Sequence, residues 1–178
     1  MDFKSVFILL NDHFKEANVN FAVIGGFALA SAGYSRATTD IDMLVDKNDM
    51  LKVKRIMSDL GYDPAFESDE VTCFLSKLDK LGRVDFLHAH RKYAKAMLER
   101  AKEDKALKLK VIIPEDLIGL KVQSSSNDPD RYHQDMADIE EVLRVNIDKL
   151  DLVLVKEYFD LFGRGDELDI ILKRIRNA

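Results

Sequence analysis

The amino-acid sequence predicts an α+β protein, in which a mixed β-sheet core flanked by helices is followed by a helical C-terminal subdomain. Two observations support this prediction. Up to residue 113, short apolar runs typical of strands alternate with segments of helical periodicity, whereas from Pro114 onward only helical patterns remain. We therefore expect a core over residues 1–113 and a helical subdomain over residues 114–178.

The spacing of apolar residues predicts each element in order. Five apolar residues from Phe3 to Phe14 recur at helical spacing and predict an amphipathic first helix. The predicted strands are 21–24, 40–45, 71–78, 83–88 and 106–113. The later predicted helices are 27–32, 48–60, 91–103, 115–125, 129–144, 148–162 and 166–176. Asp128 before Pro129 is a typical helix start, with an N-cap followed by proline at the first position.

Composition narrows the class of protein. With 178 residues, 47% of them hydrophobic, the chain can bury one core and a small appended subdomain. The formal net charge of −5 argues against a surface that is basic all over and binds nucleic acid by bulk charge. A single cysteine, Cys73, excludes an internal disulfide and suits a reducing compartment. Neither a signal peptide nor a membrane-length apolar run is evident, so we expect a cytoplasmic protein without membrane contact.

Two glycines lie between the first predicted strand and the next helix. At such a place, Gly25 and Gly26 let backbone amides approach a phosphate closely, and a helix N-terminus adds partial positive charge. A glycine pair is more often only a tight turn, so this signal is weak by itself.

Three aspartates form the most informative pattern. Asp40 and Asp42 alternate with Ile41 on one strand, so both carboxylates project from the same face. Such a pair either faces solvent or holds a cation, and Mg²⁺ prefers carboxylate oxygens. Asp85 interrupts an apolar strand, where it is an edge residue, the partner of Arg83, or a third ligand. The three acids together could hold two metal ions, or one metal ion beside a general base.

The helical part contains two charged residues within apolar stripes. Lys121 falls inside the apolar face of its helix, and Asp135 does so in the next helix. We therefore expect Asp135 to be buried and paired with Lys121. The pair is either a structural salt bridge or a device that directs the lysine towards a phosphate.

Taken in order, these motifs resemble the minimal nucleotidyltransferases, and within them the toxin-like branch of the abortive-infection AbiEii type. The resemblance extends from about Phe21 to Arg144. Its motifs are Gly25-Gly26, Arg36 with Thr39-Asp40-Ile41-Asp42, Val84-Asp85-Phe86, Pro114 to Lys121, and Asp135 to Ile139. It departs from many members at Phe27, where they have a serine or threonine after the glycine pair.

The resemblance implies a nucleotidyltransferase-like fold and an enzyme that transfers a nucleotide from an NTP to an acceptor hydroxyl. It implies that Asp40, Asp42 and Asp85 are catalytic and bind Mg²⁺ or Mn²⁺. It also implies nucleotide binding by Gly25, Gly26, Arg36, Thr39, Lys121 and Asp135. The acceptor is an RNA end such as that of tRNA, a protein side chain or a small molecule, and a cognate antitoxin is an expected partner.

Two alternative functions remain open from the sequence. One is a noncatalytic module with the same fold, such as half of a toxin–antitoxin pair; the complete set of three acids argues against it. The other is an RNA-binding protein that uses residues 91–110, a segment that contains eight lysines and arginines but only three acids. A solvated helix face is the more common explanation of such a basic segment.

Overall fold

A computed structural model describes residues 1–177 of the chain. The fold divides into two compact units. The first consists of Met1–Phe27 and Ala37–Ile112, and the second of Ala28–Arg36 and Ile113–Ala178, the latter described up to Asn177. Residues 28–36 belong to the second unit although they precede most of the first in sequence. Each unit therefore has its own packing, which we describe separately.

The first unit is built on a seven-stranded mixed sheet, which confirms the predicted fold class. Its strands are β1 (Phe21–Val23), β2 (Asp40–Asp46), β3 (Tyr62–Glu67), β4 (Val71–Ser76), β5 (Arg83–Ala89), β6 (Lys102–Glu103) and β7 (Lys110–Val111). Their spatial order is β3-β4-β5-β2-β1-β7-β6. The neighbours β2 and β5 run parallel, as do β1 and β7, whereas the other neighbouring pairs are antiparallel.

Eight α-helices complete the described fold. They are α1 (Phe3–Glu16), α2 (Gly25–Ser31), α3 (Met50–Asp59), α4 (Lys92–Arg100), α5 (Pro114–Asn127), α6 (Tyr132–Asn146), α7 (Leu152–Asp160) and α8 (Gly165–Arg176). Helix α1 forms where predicted, with the side chain of Asp2 accepting the Ser5 amide as an N-cap. None of the described helices combines the length and the apolar character that crossing a membrane requires.

The central strand β2 shows how sequence alternation orients the sheet. Ile41, Met43 and Val45 are fully buried, whereas the alternating Asp40 and Asp42 are half-buried. Since successive residues of a strand point to opposite faces, the apolar set packs into the core and both carboxylates share the other face. The predicted orientation of Asp40 and Asp42 to one face, with Ile41 and Met43 on the other, is confirmed.

The second unit is helical after residue 113, as predicted. Asp128 accepts the amide of Asp130 and so begins a 3-10 turn over Pro129–Arg131, which continues into α6. Gly33 ends α2 with a φ of +90°, a left-handed conformation that glycine adopts without steric cost. The amide of Asn146 in α6 donates to the carbonyl of Ala32 over 2.8 Å, which ties this short segment to the helices of its unit.

The predicted bounds of several elements were wrong, and one strand was not predicted. Helix α2 begins at Gly25 itself, so the glycine pair is not a turn before the helix. The φ of +62° at Gly25 explains the difference, because it changes the chain direction from strand to helix within one residue. Strand β3 was not predicted: it is an edge strand that includes Pro64 and is exposed beyond Tyr62, so it has no apolar alternation.

The segment after α4 also differs from its prediction. The helix ends at Arg100 rather than at residue 103, and the strand predicted over 106–113 is reduced to Lys110–Val111. The carboxylate of Asp104 accepts the amides of Ala106 and Leu107, both over 2.8 Å. This side-chain cap folds the chain into a hairpin turn, which competes with a longer strand.

We predict that Gly119→Ala destabilises the protein by about 1–3 kcal/mol through overpacking. A Cβ at this buried position of α5 would lie 2.8 Å from the ring of Tyr158. That ring cannot easily move, because its hydroxyl donates to the buried carboxylate of Asp116 over 2.6 Å. Urea unfolding measures the cost.

Gly165→Ala is the matched control. Its Cβ would meet only the ends of the exposed side chains of Lys156 and Asp160, which can move aside. A free energy of unfolding lowered equally in both variants would contradict the packing of Tyr158 against Gly119.

Candidate functional site

The parallel pairing of β2 and β5 brings the three aspartates together in the first unit. Asp42 lies directly opposite Asp85 in the register, and Asp40 lies opposite Arg83. Register partners on parallel neighbours project from the same face of a sheet. One carboxylate oxygen from each of Asp40, Asp42 and Asp85 lies within 4.8 Å of the other two, and all three residues are half-buried. The structure therefore assembles the three acids that the sequence singled out.

Gly25 makes room for one of these carboxylates. A Cβ at Gly25 would lie 2.0 Å from Oδ2 of Asp42, a separation that no side chain could have. The amide of Ile24 donates to the backbone carbonyl of Asp42 over 3.0 Å, which holds the two segments together. Glycine is thus required here both by the positive φ and by the contact with the acid.

Thr38 orients a second carboxylate, a role that the sequence analysis missed. Its hydroxyl donates to Oδ1 of Asp40 over 2.9 Å, and its Cβ would lie 2.8 Å from a Cβ at Gly26. Thr39, which the resemblance had singled out instead, is exposed. The spacing could have indicated this role. Thr38, Asp40 and Asp42 follow one another at intervals of two residues, which places them on the same face of an extended segment.

Arg83 pairs with the third carboxylate. Its Nε donates to both oxygens of Asp85, over 2.8 and 3.1 Å, and its Nη2 donates to Oδ2 over 2.7 Å. These hydrogen bonds raise the pKa of the guanidinium, so Arg83 stays charged. Asp85 therefore meets two of the alternatives left open by the sequence, since it is both the partner of Arg83 and a member of the acidic cluster.

Cys73 lies beside this ion pair. It is buried, and its Sγ is 3.5 Å from Nη2 of Arg83. Burial, followed by the nearby charge of Asp85, raises the pKa of the thiol above its usual range. The thiol consequently stays protonated at neutral pH and is no competitor to the carboxylates as a ligand for a cation.

The donor set of the acidic cluster fits a hard divalent cation. Its oxygens come from three carboxylates, which are the ligands that Mg²⁺ and Mn²⁺ prefer. Asp40 is already oriented by Thr38, and the lack of a side chain at Gly25 leaves room for Asp42. Of the three acids, Asp85 is the one that Arg83 pairs with.

The second unit contains a buried ion-pair network. Nζ of Lys121 lies 3.0 Å from Oδ1 of Asp135 and 2.6 Å from Oδ2 of Asp138. Both aspartates are fully buried, and Lys121 is 5% exposed. The predicted pairing of Lys121 with Asp135 is confirmed. Asp138 was missed, although it follows Asp135 by three residues and so lies on the same face of α6.

Two arginines form the accessible side of this network. Nε of Arg36 donates to Asp138 over 3.2 Å, and Nε of Arg131 donates to Asp135 over 3.3 Å. Their side chains are 29% and 57% exposed, in contrast to Lys121. Burial alone would raise the pKa of Asp135, but hydrogen bonds from Ser124 and Lys121 and the charges of Lys121 and Arg131 hold it below its usual range.

Comparisons with known proteins identify the family. The model of an uncharacterised nucleotidyltransferase family matches residues 6–148, which is most of the chain. No curated protein matches the chain by sequence. The match includes the three clustered aspartates as well as Lys121, Asp135 and Asp138.

Solved structures of similar fold include antibiotic-modifying enzymes. ANT(2″)-Ia in complex with adenylyl-2″-tobramycin has 14% sequence identity and a TM-score of 0.68, over 92% of this chain and 100% of that chain. The lincosamide antibiotic adenylyltransferase LnuA, bound to lincomycin, has 18% identity and a TM-score of 0.59, over 79% and 96%. A putative nucleotidyltransferase from Thermotoga maritima has 14% identity and a TM-score of 0.52, over 76% and 90%. At these identities the likeness shows the nucleotidyltransferase fold alone.

We predict that Gly25→Ala destabilises the protein far more than Gly61→Ala. Gly61 also has a positive φ, but a Cβ there would meet no atom within 4 Å, so only the backbone cost of about 1–2 kcal/mol applies. At Gly25 the clash with the Asp42 carboxylate adds about 1–3 kcal/mol to that cost. Urea unfolding compares the two variants, and equal losses would show that Asp42 does not pack against Gly25.

We predict that Lys121→Met costs about 3–5 kcal/mol, because it leaves two buried carboxylates without their shared cation. Lys156→Met is the matched control. Lys156 lies 3.1 Å from Asp160, but both side chains are about half exposed, so its loss should cost less than about 1 kcal/mol. Chemical denaturation measures both, and an equally small cost at Lys121 would contradict its part in holding Asp135 and Asp138.

Proposed function

The chain belongs to this nucleotidyltransferase family, and on that premise we propose that it is an active enzyme that transfers a nucleotide from an NTP to an acceptor hydroxyl. The observation that carries the proposal is the convergence of Asp40, Asp42 and Asp85 at one point of the sheet. Three carboxylates so close together repel one another, and a bound cation would relieve that repulsion. We propose Mg²⁺ or Mn²⁺ as that cation.

The proposed reaction is in-line displacement at the α-phosphorus of the NTP. The acceptor oxygen forms a bond to this phosphorus, the bond to the bridging oxygen breaks, and pyrophosphate leaves. A divalent metal ion, when bound, would neutralise the phosphates and polarise the reacting phosphoryl group. The hydrogen bond from Thr38 holds the Asp40 carboxylate in place before binding, which reduces the cost of ordering it.

We propose two alternative roles for Asp85, and in both of them its ion pair with Arg83 has to open. Asp85 either completes the metal ligand set or accepts the proton from the acceptor hydroxyl. In either role it needs an oxygen that Arg83 now engages. The Arg83 side chain is 52% exposed, so it can turn towards solvent without losing a packed environment. We propose that the guanidinium then contacts the phosphates of the nucleotide, which it suits by charge and by geometry.

We propose phosphate contacts within each unit, taken by itself. In the first, the amides of Gly25 and Gly26 contact phosphate, and Thr39 contributes its exposed hydroxyl. In the second, Arg36 is the residue suited to contact a phosphate, because it is partly exposed and held by Asp138. The burial of Lys121 favours an indirect role, in which it fixes Asp135 and Asp138 and through them Arg36 and Arg131.

The acceptor is proposed only as a class. The tobramycin adduct of one structural neighbour and the lincomycin complex of another make a small-molecule hydroxyl a natural first candidate. An RNA end, a protein side chain, membership of the AbiEii-type branch and a cognate antitoxin remain proposals from the sequence resemblance. A noncatalytic module is disfavoured by the complete cluster of three acids, since a protein that only binds a partner does not need all three.

We predict that Asp40→Ala and Asp42→Ala each abolish nucleotide transfer while the fold is retained. Removing one of the mutually repelling acids should leave the melting temperature equal or higher in the absence of metal. The assay incubates the protein with each labelled NTP and Mg²⁺ or Mn²⁺, and offers aminoglycosides, lincosamides, tRNA and lysate proteins as separate acceptors. Asp63→Ala is the control, because Asp63 is an exposed acid on the edge strand β3.

Calorimetry of NTP binding to the same variants separates the outcomes. The wild-type protein should bind NTP more tightly with Mg²⁺ than with EDTA, since the acids otherwise repel the triphosphate. Wild-type transfer by Asp40→Ala would remove the metal site from the proposal. Equal NTP affinity with and without metal, together with no transfer to any acceptor, would favour the noncatalytic module.

A further inference from the structure

The first unit also contains a cavity that the acidic cluster does not line. It is a cavity of about 320 Å³, formed by the end of α1, the segment that leads into β1 and the hairpin of β6 and β7. The residues of its lining that bear on a ligand are Asn11, Lys15, Asn18, Glu103, Lys108 and Lys110. None of the clustered aspartates is among the lining residues. The volume is at the lower end of the range for small-molecule sites.

The charge of the lining favours an anion. Lys15, Lys108 and Lys110 contribute three ammonium groups, against the single carboxylate of Glu103. No salt bridge engages any of these three lysines among residues 1–177. The lining therefore has a surplus of positive charge, which a phosphate group would complement.

Asn11 adds a directional requirement. Its Oδ1 is the one buried side-chain polar atom without a hydrogen-bond partner in the described part of the chain. A buried acceptor left unsatisfied costs free energy, and such an atom in a folded protein calls for an explanation. An amide oxygen only accepts hydrogen bonds, so the missing partner is a donor such as a hydroxyl group. Since Asn11 lines the cavity, a turn of its amide would bring Oδ1 to such a donor there.

The backbone around the cavity is strained. Asn18 and Lys108, with φ of 52° and 55°, are the non-glycine residues of positive φ within residues 1–177, and both line this cavity. Asn18 follows the end of α1, where asparagine adopts this conformation readily. Lys108 has no such preference, and the hairpin turn holds it there through its amide, which donates to the Asp104 carbonyl over 2.8 Å. Strain of this kind concentrates at binding sites.

From these coincident observations we propose that the cavity binds a ribose phosphate. The phosphate lies with the three lysines, and a sugar hydroxyl donates to Oδ1 of Asn11. The ligand is either a free sugar phosphate or a ribose-phosphate unit of RNA. The position of Lys108 and Lys110 at the end of the basic segment 91–110, whose lysines are exposed, offers a path for a longer strand. The site does not depend on the proposed transfer reaction.

Titration calorimetry of the full chain in EDTA tests the proposal with ribose 5-phosphate and with inorganic phosphate. Ribose 5-phosphate should bind roughly threefold to tenfold more tightly, which is the worth of one neutral hydrogen bond. Lys108→Gln and Lys110→Gln should each weaken it roughly tenfold, as expected for a contact to a charged group. Lys102→Gln and Lys105→Gln are the controls, since both residues are exposed in the same segment but neither lines the cavity.

Asn11→Leu tests the hydroxyl contact without endangering the fold. It removes an unsatisfied buried acceptor, so the melting temperature of the ligand-free protein should stay the same or rise. The variant should bind ribose 5-phosphate no more tightly than it binds inorganic phosphate. Lys108→Gly should likewise fold at least as stably, because it relieves the positive φ, and yet bind more weakly.

The proposal is overturned if ribose 5-phosphate shows no saturable binding in the millimolar range. It is also overturned if the control lysine variants weaken binding as much as Lys108→Gln and Lys110→Gln, or if Asn11→Leu leaves the preference over inorganic phosphate intact. A short oligouridylate identifies the source of the ligand: tighter binding that depends on Lys108 and Lys110 assigns the site to RNA, and weaker binding assigns it to a free sugar phosphate.

Discussion

The candidate site depends on one structural constraint, the parallel register of β2 and β5. With Asp42 opposite Asp85, carboxylates that are 43 positions apart in the sequence share one face of the sheet. A shift of one residue would turn Asp40 and Asp42 into the core and Ile41 and Met43 out of it. The apolar core therefore enforces the register, and the register in turn assembles the acids. Gly25 completes the arrangement because it leaves space for the Asp42 carboxylate.

The two units differ in how their grouped carboxylates are paired with cations. In the second, the buried carboxylates of Asp135 and Asp138 are surrounded by Lys121, Arg36 and Arg131, so cations outnumber acids. Burial of these charges is tolerable because each is paired and hydrogen-bonded. In the first, Arg83 pairs with Asp85, and the carboxylates of Asp40 and Asp42 lie within 4.8 Å of it. The buried acids have their cations within the protein, whereas the clustered acids are suited to bind a further cation.

The sequence predicted the parts of this arrangement that rest on local periodicity. Alternation along β2 indicated that Asp40 and Asp42 share a face, and helical periodicity indicated that Asp135 is buried with Lys121. Contacts between residues that only the tertiary structure brings together could not be predicted in the same way. Thr38 and Thr39 differ only in which face they present, and Asp138 differs from any exposed helical acid only by its packing. Strand β3 escaped prediction because an exposed edge strand needs no apolar pattern.

The glycine at the start of α2 shows why a motif can be found correctly and explained incompletely. Close approach of a phosphate to the backbone is a sufficient reason for glycine, and it was the reason taken from the sequence. The structure supplies another, because the Asp42 carboxylate occupies the space where a side chain would begin. The two reasons are compatible, since a cation held by Asp42 would bring any phosphate that it binds towards the same backbone. Gly25 therefore links the acidic cluster to the first turn of α2, and a substitution there disturbs the acid before it can affect a nucleotide.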